Sequence, residues 1–157
     1  MKKHSTFHEV FQQVSDAPIK ADKINILRSY DSGAMRGLLS YAYDPRISWQ
    51  LPKGDPPYTP LNESMDQQSR LAQEVRKMHI FANGPGPLTD TQRNLKPIRR
   101  EQLFIQVLES VDPNDAKVLL MMKNGKLLYK GLTRNLVAEA FPEIAKDWKD
   151  EKDKEAV

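Results

Sequence analysis

Five prolines between positions 45 and 60, in the run DPRISWQLPKGDPPYTPLN, constrain this chain more than any other feature. A proline fixes φ near about −65° and has no N–H to donate, so it interrupts helix interiors and central strands alike. Residues 44–62 are therefore expected to form an extended loop, with the folded body built on either side of it. Trp49 and Tyr58 are expected to pin that loop down through ring packing, although aromatic rings beside basic residues could also meet a partner.

On both sides of the loop the apolar residues recur at helical spacing. Thr6 followed by Glu9 is a capping-box pattern, and Phe7, Val10, Phe11 and Val14 form the stripe of a helix over 6–14. Pro18 restarts the chain into a second helix with Ala21, Ile24, Leu27 and Tyr30 inside. Asp31 or Ser32 caps a third, whose Met35, Leu38, Leu39 and Ala42 face inward. Beyond the loop, Leu71, Val75 and Met78 predict a helix over 65–81, which Gly84-Pro85-Gly86-Pro87 ends. A polar connection over 82–95 follows. Pro97 opens a helix with Phe104, Val107, Leu108 and Val111 on its apolar face, and Asp112-Pro113 opens another that stops at Asn124-Gly125. Thr133 caps a last helix carrying Leu136, Val137, Ala140 and Phe141, and Pro142 bends or breaks it. No strand run or internal repeat competes, so the expected class is all-α, a compact multi-helix domain.

At 157 residues the chain has the size of one domain with a real core. Residues 1–145 are assigned to that domain and 146–157 to a charged, disordered tail, in which four lysines meet five acidic side chains. The net charge of +3 is too small to require a polyanion partner. Cysteine is absent, so no disulfide or thiolate chemistry is available and a reducing compartment is expected. No stretch approaches the ~18 apolar residues of a membrane span, and the N-terminus does not read as a secretion signal.

No catalytic pattern emerges. His8-Glu9-Val10-Phe11-Gln12 lacks the second histidine of the zinc-protease helix, and His4 and His79 have no ligand spacing, so neither metal nor cofactor is expected. There is no phosphate-binding loop, dinucleotide fingerprint or nucleophile elbow. Asp112 and Asp115 are better placed as helix-start charges than as an acid–base pair.

Three segments carry a resemblance: LPKGDPPYTP at 51–60, REQLFIQVLESVDPNDAKVLL at 100–120 and KGLTRNLVAEAFPEI at 130–144. Through them the chain resembles an uncharacterised protein family of T-even-like tailed phages of marine and cyanobacterial hosts. Through KADKINILRSYDSGAMRGLLSYAYD at 20–44, and Gly131, Thr133, Leu136, Val137, Ala140, Phe141 and Pro142, it is similar to the N-terminal helical DNA-binding domain of phage-type ATP-dependent DNA ligases. That similarity implies a domain gripping duplex DNA by its phosphates across the minor groove. The ligase nucleophile motif Lys-x-Asp-Gly is absent, since Lys23 follows Lys20-Ala21-Asp22, so adenylyl transfer is not expected.

The expected function is a non-catalytic, sequence-nonspecific binder of duplex DNA, nicked or intact, acting in replication, recombination or repair in the cytoplasm of an infected host. Lys20, Lys23, Arg99, Arg100, Lys126, Lys130, Gly131, Thr133 and Arg134 are the expected contacts. Lys96, Arg99 and Arg100 crowd a helix start, where positive charge opposes the macrodipole and a nearby anion would relieve it. Each residue also has an ordinary role: lysines on a solvated helix face, Thr133 a cap, Gly131 a turn. The alternative is an adaptor that keeps the fold and binds a phage or host replication or transcription protein instead.

Overall fold

Apolar stripes on short helices must pair to be buried, and the chain solves this with nine α-helices and one 3₁₀ segment among its described residues. The computed structural model describes residues 6–61, 71–125 and 127–148. The first three helices are α1 (Phe7–Asp16), α2 (Lys20–Ser29) and α3 (Gly33–Tyr43). After the loop come α4 (Leu71–Glu74), a 3₁₀ helix (Val75–Ile80), α5 (Asp90–Asn94), α6 (Pro97–Ser110) and α7 (Pro113–Lys123). The last two are α8 (Arg134–Ala140) and α9 (Pro142–Ala145). The domain is all-α, and no described helix is long and apolar enough to cross a membrane.

Local signals set most of these elements. Thr6 and Glu9 form the expected capping box, with Thr6 Oγ1 accepting from Glu9 N at 3.1 Å and Glu9 Oε1 accepting from Thr6 N at 3.0 Å. Ser32, Asp112 and Thr133 cap α3, α7 and α8 through their side chains. The predicted stripes converge on one core: Phe11, Val14, Leu27, Leu38, Leu39, Phe104, Leu108, Leu119 and Val137 are all but sealed from solvent. Burying each contributes roughly 1.5–3 kcal/mol. Edge-on ring pairs tie distant segments together, Phe81 on Phe104 at 5.3 Å and Phe11 on Tyr129 at 5.5 Å.

The structure departs from expectation in several places. Ala21, expected inside, is exposed on α2. Of the helix expected over 65–81, residues 65–70 lie outside the described residues, and Val75–Ile80 winds as 3₁₀, ending with Phe81 N donating to Met78 O at 2.9 Å. The 82–95 connection contains α5, closed by a Thr89–Gln92 capping box; it buries no residue, so no apolar stripe announced it. Two short strands, β1 (Ser48–Trp49) and β2 (Ala82–Asn83), pair antiparallel with Ser48 opposite Asn83 and Trp49 opposite Ala82. Trp148, assigned to the tail, is 5% exposed in the core, so the body extends through it.

The proline-rich loop is held against the body as its aromatics predict, with Trp49 and Tyr58 half-buried on the core. A second fastening was not visible in the sequence. Lys123 is buried at the end of α7, where its ammonium donates to Pro52 O, Gly54 O and Asn124 Oδ1. Desolvation pushes its pKa below the usual lysine value.

Candidate nucleic-acid interface

Lys126 lies outside the described residues, and the other eight expected contacts divide between two places. Lys20, Lys23, Lys130, Gly131, Thr133 and Arg134 belong to α2 and to the chain entering α8, which packs on α2. Arg99 and Arg100 belong to the start of α6.

Most of the first group is engaged inside the protein. Lys23 Nζ donates to Val14 O at 2.8 Å, Ser15 O at 3.3 Å and Ala17 O at 2.7 Å, closing the carbonyl end of α1. Gly131 explains how it fits. The residue has φ +82°, and a Cβ there would sit 3.0 Å from Lys23 Cε and Nζ, so the glycine makes both the turn and the room. Lys20 pairs with Glu139 at 2.7 Å, both exposed, and Thr133 Oγ1 accepts from Leu136 N at 3.1 Å as the α8 cap. Arg134 is half-buried and lines a cavity with Tyr41, Tyr43 and Trp49. Within this group Lys130 alone is an exposed cation with no partner among the described residues.

The second place is different in kind. Residues 75–100 hold six cationic side chains, Arg76, Lys77, Arg93, Lys96, Arg99 and Arg100, against one carboxylate, Asp90. That concentration exceeds the net charge of the whole chain, +3. The fold gathers it. Arg100 is 7% exposed, and its guanidinium donates from Nε to Ile80 O at 3.0 Å and from Nη2 to Gln92 O at 3.1 Å. Gln92 Nε2 in turn donates to His79 O at 2.9 Å and Ala82 O at 3.3 Å. The end of the 3₁₀ helix, α5 and the start of α6 are thereby knotted into one corner.

Arg100 and Lys23 are thus corrections to the expected contact set. Their charged heads lie against backbone carbonyls, whose desolvated oxygens require them. What the corner exposes is Arg76, Lys77, Arg93, Lys96 and Arg99. Lys77 pairs with Glu74 and Arg93 with Asp90, whereas Arg99 has only Gln102 at 3.5 Å, and Arg76 and Lys96 have no side-chain partner among the described residues. Ile98, 76% exposed, stands between Lys96 and Arg99. The sequence reading found Lys96, Arg99 and Arg100 together at one helix start and missed Arg76, Lys77 and Arg93, which the 3₁₀ helix and α5 bring to the same corner; the charge of the whole 75–100 window carries the signal.

No three histidine or acidic side chains among the described residues are grouped to hold a metal. The corner exposes five cations, three of them planar guanidinium donors, and one apolar side chain.

No curated protein and no solved structure matches the chain. A family of unknown function, DUF6433, matches residues 10–129, a span that includes the whole corner and the Tyr41, Tyr43 and Trp49 wall of the cavity. By that match over most of its length, this chain belongs to DUF6433, a family of unknown function.

Proposed function

We propose that the chain is a non-catalytic DNA-binding protein that holds duplex DNA by its phosphate backbone through the corner at the start of α6. The carrying observation is the gathering of five exposed cations from residues 76–99 around the Arg100 knot, two of them without a side-chain partner. Phosphate contacts of this kind position a duplex without reading its sequence. Lys130 is a further exposed cation, at the entry to α8, and the ligase-domain resemblance supports duplex binding as such, through residues of α2 and α8 and not of the corner. Its setting is DNA replication, recombination or repair of a phage in its host cytoplasm.

The test is fluorescence anisotropy with nicked duplex, intact duplex and single strand across a salt series. Each neutralised phosphate contributes a slope of about −0.9 in log affinity against log salt. Lys96→Glu combined with Arg99→Glu is expected to flatten the slope by about 1.8 and weaken binding roughly 10- to 100-fold at about 0.1 M salt. Unchanged affinity and slope would remove the corner from the interface. No binding by the native protein at low salt would remove the function.

One observation favours the adaptor as a second reading. Leu128 is 72% exposed and, with Leu120 and Met121, lines an apolar depression beside Lys117. A partner held there would stay bound after nuclease treatment and be released by Leu128→Glu.

A further inference from the structure

Arg134 was expected at a phosphate, yet it lines a cavity of about 370 Å³ with Tyr41, Tyr43, Asp44, Trp49 and Met122. That volume is at the small end of the ~300–1,000 Å³ of small-molecule sites. The cavity's walls come from α3, β1, α7 and α8, and they bring three aromatic side chains, a guanidinium and a carboxylate around an opening to solvent. Tyr43 is accounted for, since its hydroxyl donates to Leu132 O at 3.1 Å, and Asp44 is held by Arg46 at 2.8 Å. Tyr41 and Trp49 are not. Their rings stand 6.1 Å apart at 58°, so they are not stacked face to face, and neither the Tyr41 hydroxyl nor the Trp49 indole N–H has a hydrogen-bond partner among the described residues.

One wall of the cavity is tied to the basic corner through the short sheet. Trp49 is opposite Ala82 in the β1–β2 pair, Gln50 N donates to Phe81 O at 2.8 Å, and Ala82 O accepts from Gln92, the residue whose own carbonyl Arg100 holds. One strand spacing, about 5 Å, separates the aromatic wall from the segment that the corner organises. The aromatic wall is therefore joined, through the β1–β2 pair and Gln92, to the corner that carries Lys96 and Arg99.

We infer that the Tyr41–Trp49 cavity is a nucleobase site, taking one unstacked base of a DNA strand whose phosphates lie on the basic corner. The inference rests on the proposed DNA binding and deepens it. Trp49 stacks on the base, Tyr41 closes the site edge-on with its hydroxyl serving the base edge, and Arg134 faces the sugar-phosphate. Stacking is indifferent to base identity because every base has a π-face, so the site selects an exposed base and not a sequence.

The experiment compares a duplex carrying one extrahelical 2-aminopurine with the same duplex fully paired, by anisotropy and by 2-aminopurine fluorescence. The bulged duplex is expected to bind about tenfold tighter, with its fluorescence quenched. Trp49→Leu is expected to abolish the preference and the quenching while leaving paired-duplex affinity unchanged. Trp49→Tyr, which retains a stacking ring and covers the case in which the leucine variant fails to fold, is expected to retain most of both. Equal binding of the two duplexes by the native protein, or quenching that survives Trp49→Leu, would overturn the base site and leave the DNA proposal standing. Failure of both duplexes to bind would overturn the DNA proposal beneath it. Trp49 quenching by free dAMP with none by the bulged duplex would overturn the assignment to a DNA-borne base.

Discussion

The two ends of α1 and the start of α6 handle charge in opposite ways. Every early N–H of α1 has an acceptor: Asp115, reaching over from α7, accepts from Phe7 N at 3.4 Å and His8 N at 2.9 Å, and Thr6 serves Glu9. At the other end Lys23 of α2 closes the carbonyls. Negative charge thus meets the positive pole of the helix and positive charge the negative pole, both from neighbouring helices. Helix α6 begins with Lys96 at its cap position, no side-chain cap bond, no acidic residue in its first turn, and Arg99 and Arg100 directly following. Around α1 charge has been arranged to complete the fold. Around α6 positive charge accumulates against the dipole and faces outward, and such uncompensated potential is what an anionic partner would complete.

Arg100 is the exception that sharpens this contrast, because it belongs to the corner by sequence and to the structural class by geometry. Arg100→Ala would leave Ile80 O and Gln92 O without their charged donor and untie the 3₁₀ end from α5. The expected cost is about 3–4 kcal/mol, the largest effect among these substitutions, measured as a fall in urea midpoint. A loss below about 1 kcal/mol would show that solvent replaces the guanidinium, and the corner would then not be a built site.

Asp115 tests the other region. Burial raises its pKa from 3.8 to about 6; the N–H groups of His8 and Phe7 lower it and neighbouring Asp112 raises it further. Tyr129, bonded to His8 Nδ1 at 2.8 Å, is itself pushed up to about 12, chiefly by burial and further by the charge of Asp115. Because the folded pKa lies above the unfolded one, this site contributes most stability below about pH 4 and loses it as pH rises through about 6. Native protein should therefore gain on Asp115→Asn by on the order of 2–3 kcal/mol between about pH 7 and pH 4, read as the difference of their urea midpoints. Parallel pH profiles would mean that Asp115 is ionised throughout and fully satisfied by α1.

The architecture was legible because its determinants are local. The Thr6–Glu9 box, the Asp112-Pro113 start, the Thr133 cap and the apolar stripes each act over a turn or two, and the residues named for the core of α3, α6 and α8 lie there, with Ala42 only partly covered. What escaped depends on partners far apart in the chain. Asp115 looked like an ordinary first-turn acid of α7, yet it serves an N–H 107 residues away. Lys23, Arg100 and Lys123 looked like surface cations, but each meets carbonyls supplied by another segment. The candidate site escaped in part for the same reason, since nothing in residues 76–99 announces that a buried arginine and a two-residue sheet will fold that window onto itself. Helix α5 escaped for a simpler cause: with no buried residue it has a capping box and no stripe.

The smallest expected effect is the most discriminating, because its sign differs between the two regions. Lys96, Pro97, Ile98 and Arg99 occupy the four positions of a capping box at α6, and Lys96→Ser with Arg99→Glu would install one of the Thr6–Glu9 kind. Making α6 resemble α1 in this way should raise stability by about 1 kcal/mol, seen as a higher urea midpoint or Tm. The same double variant should lose duplex binding. Stabilisation with loss of binding is the trade-off expected of a functional surface that departs from the local optimum. A fall in stability would place Lys96 and Arg99 with Arg100 among the charges that hold the corner together, and the contrast between the two helix starts would then be one of geometry alone.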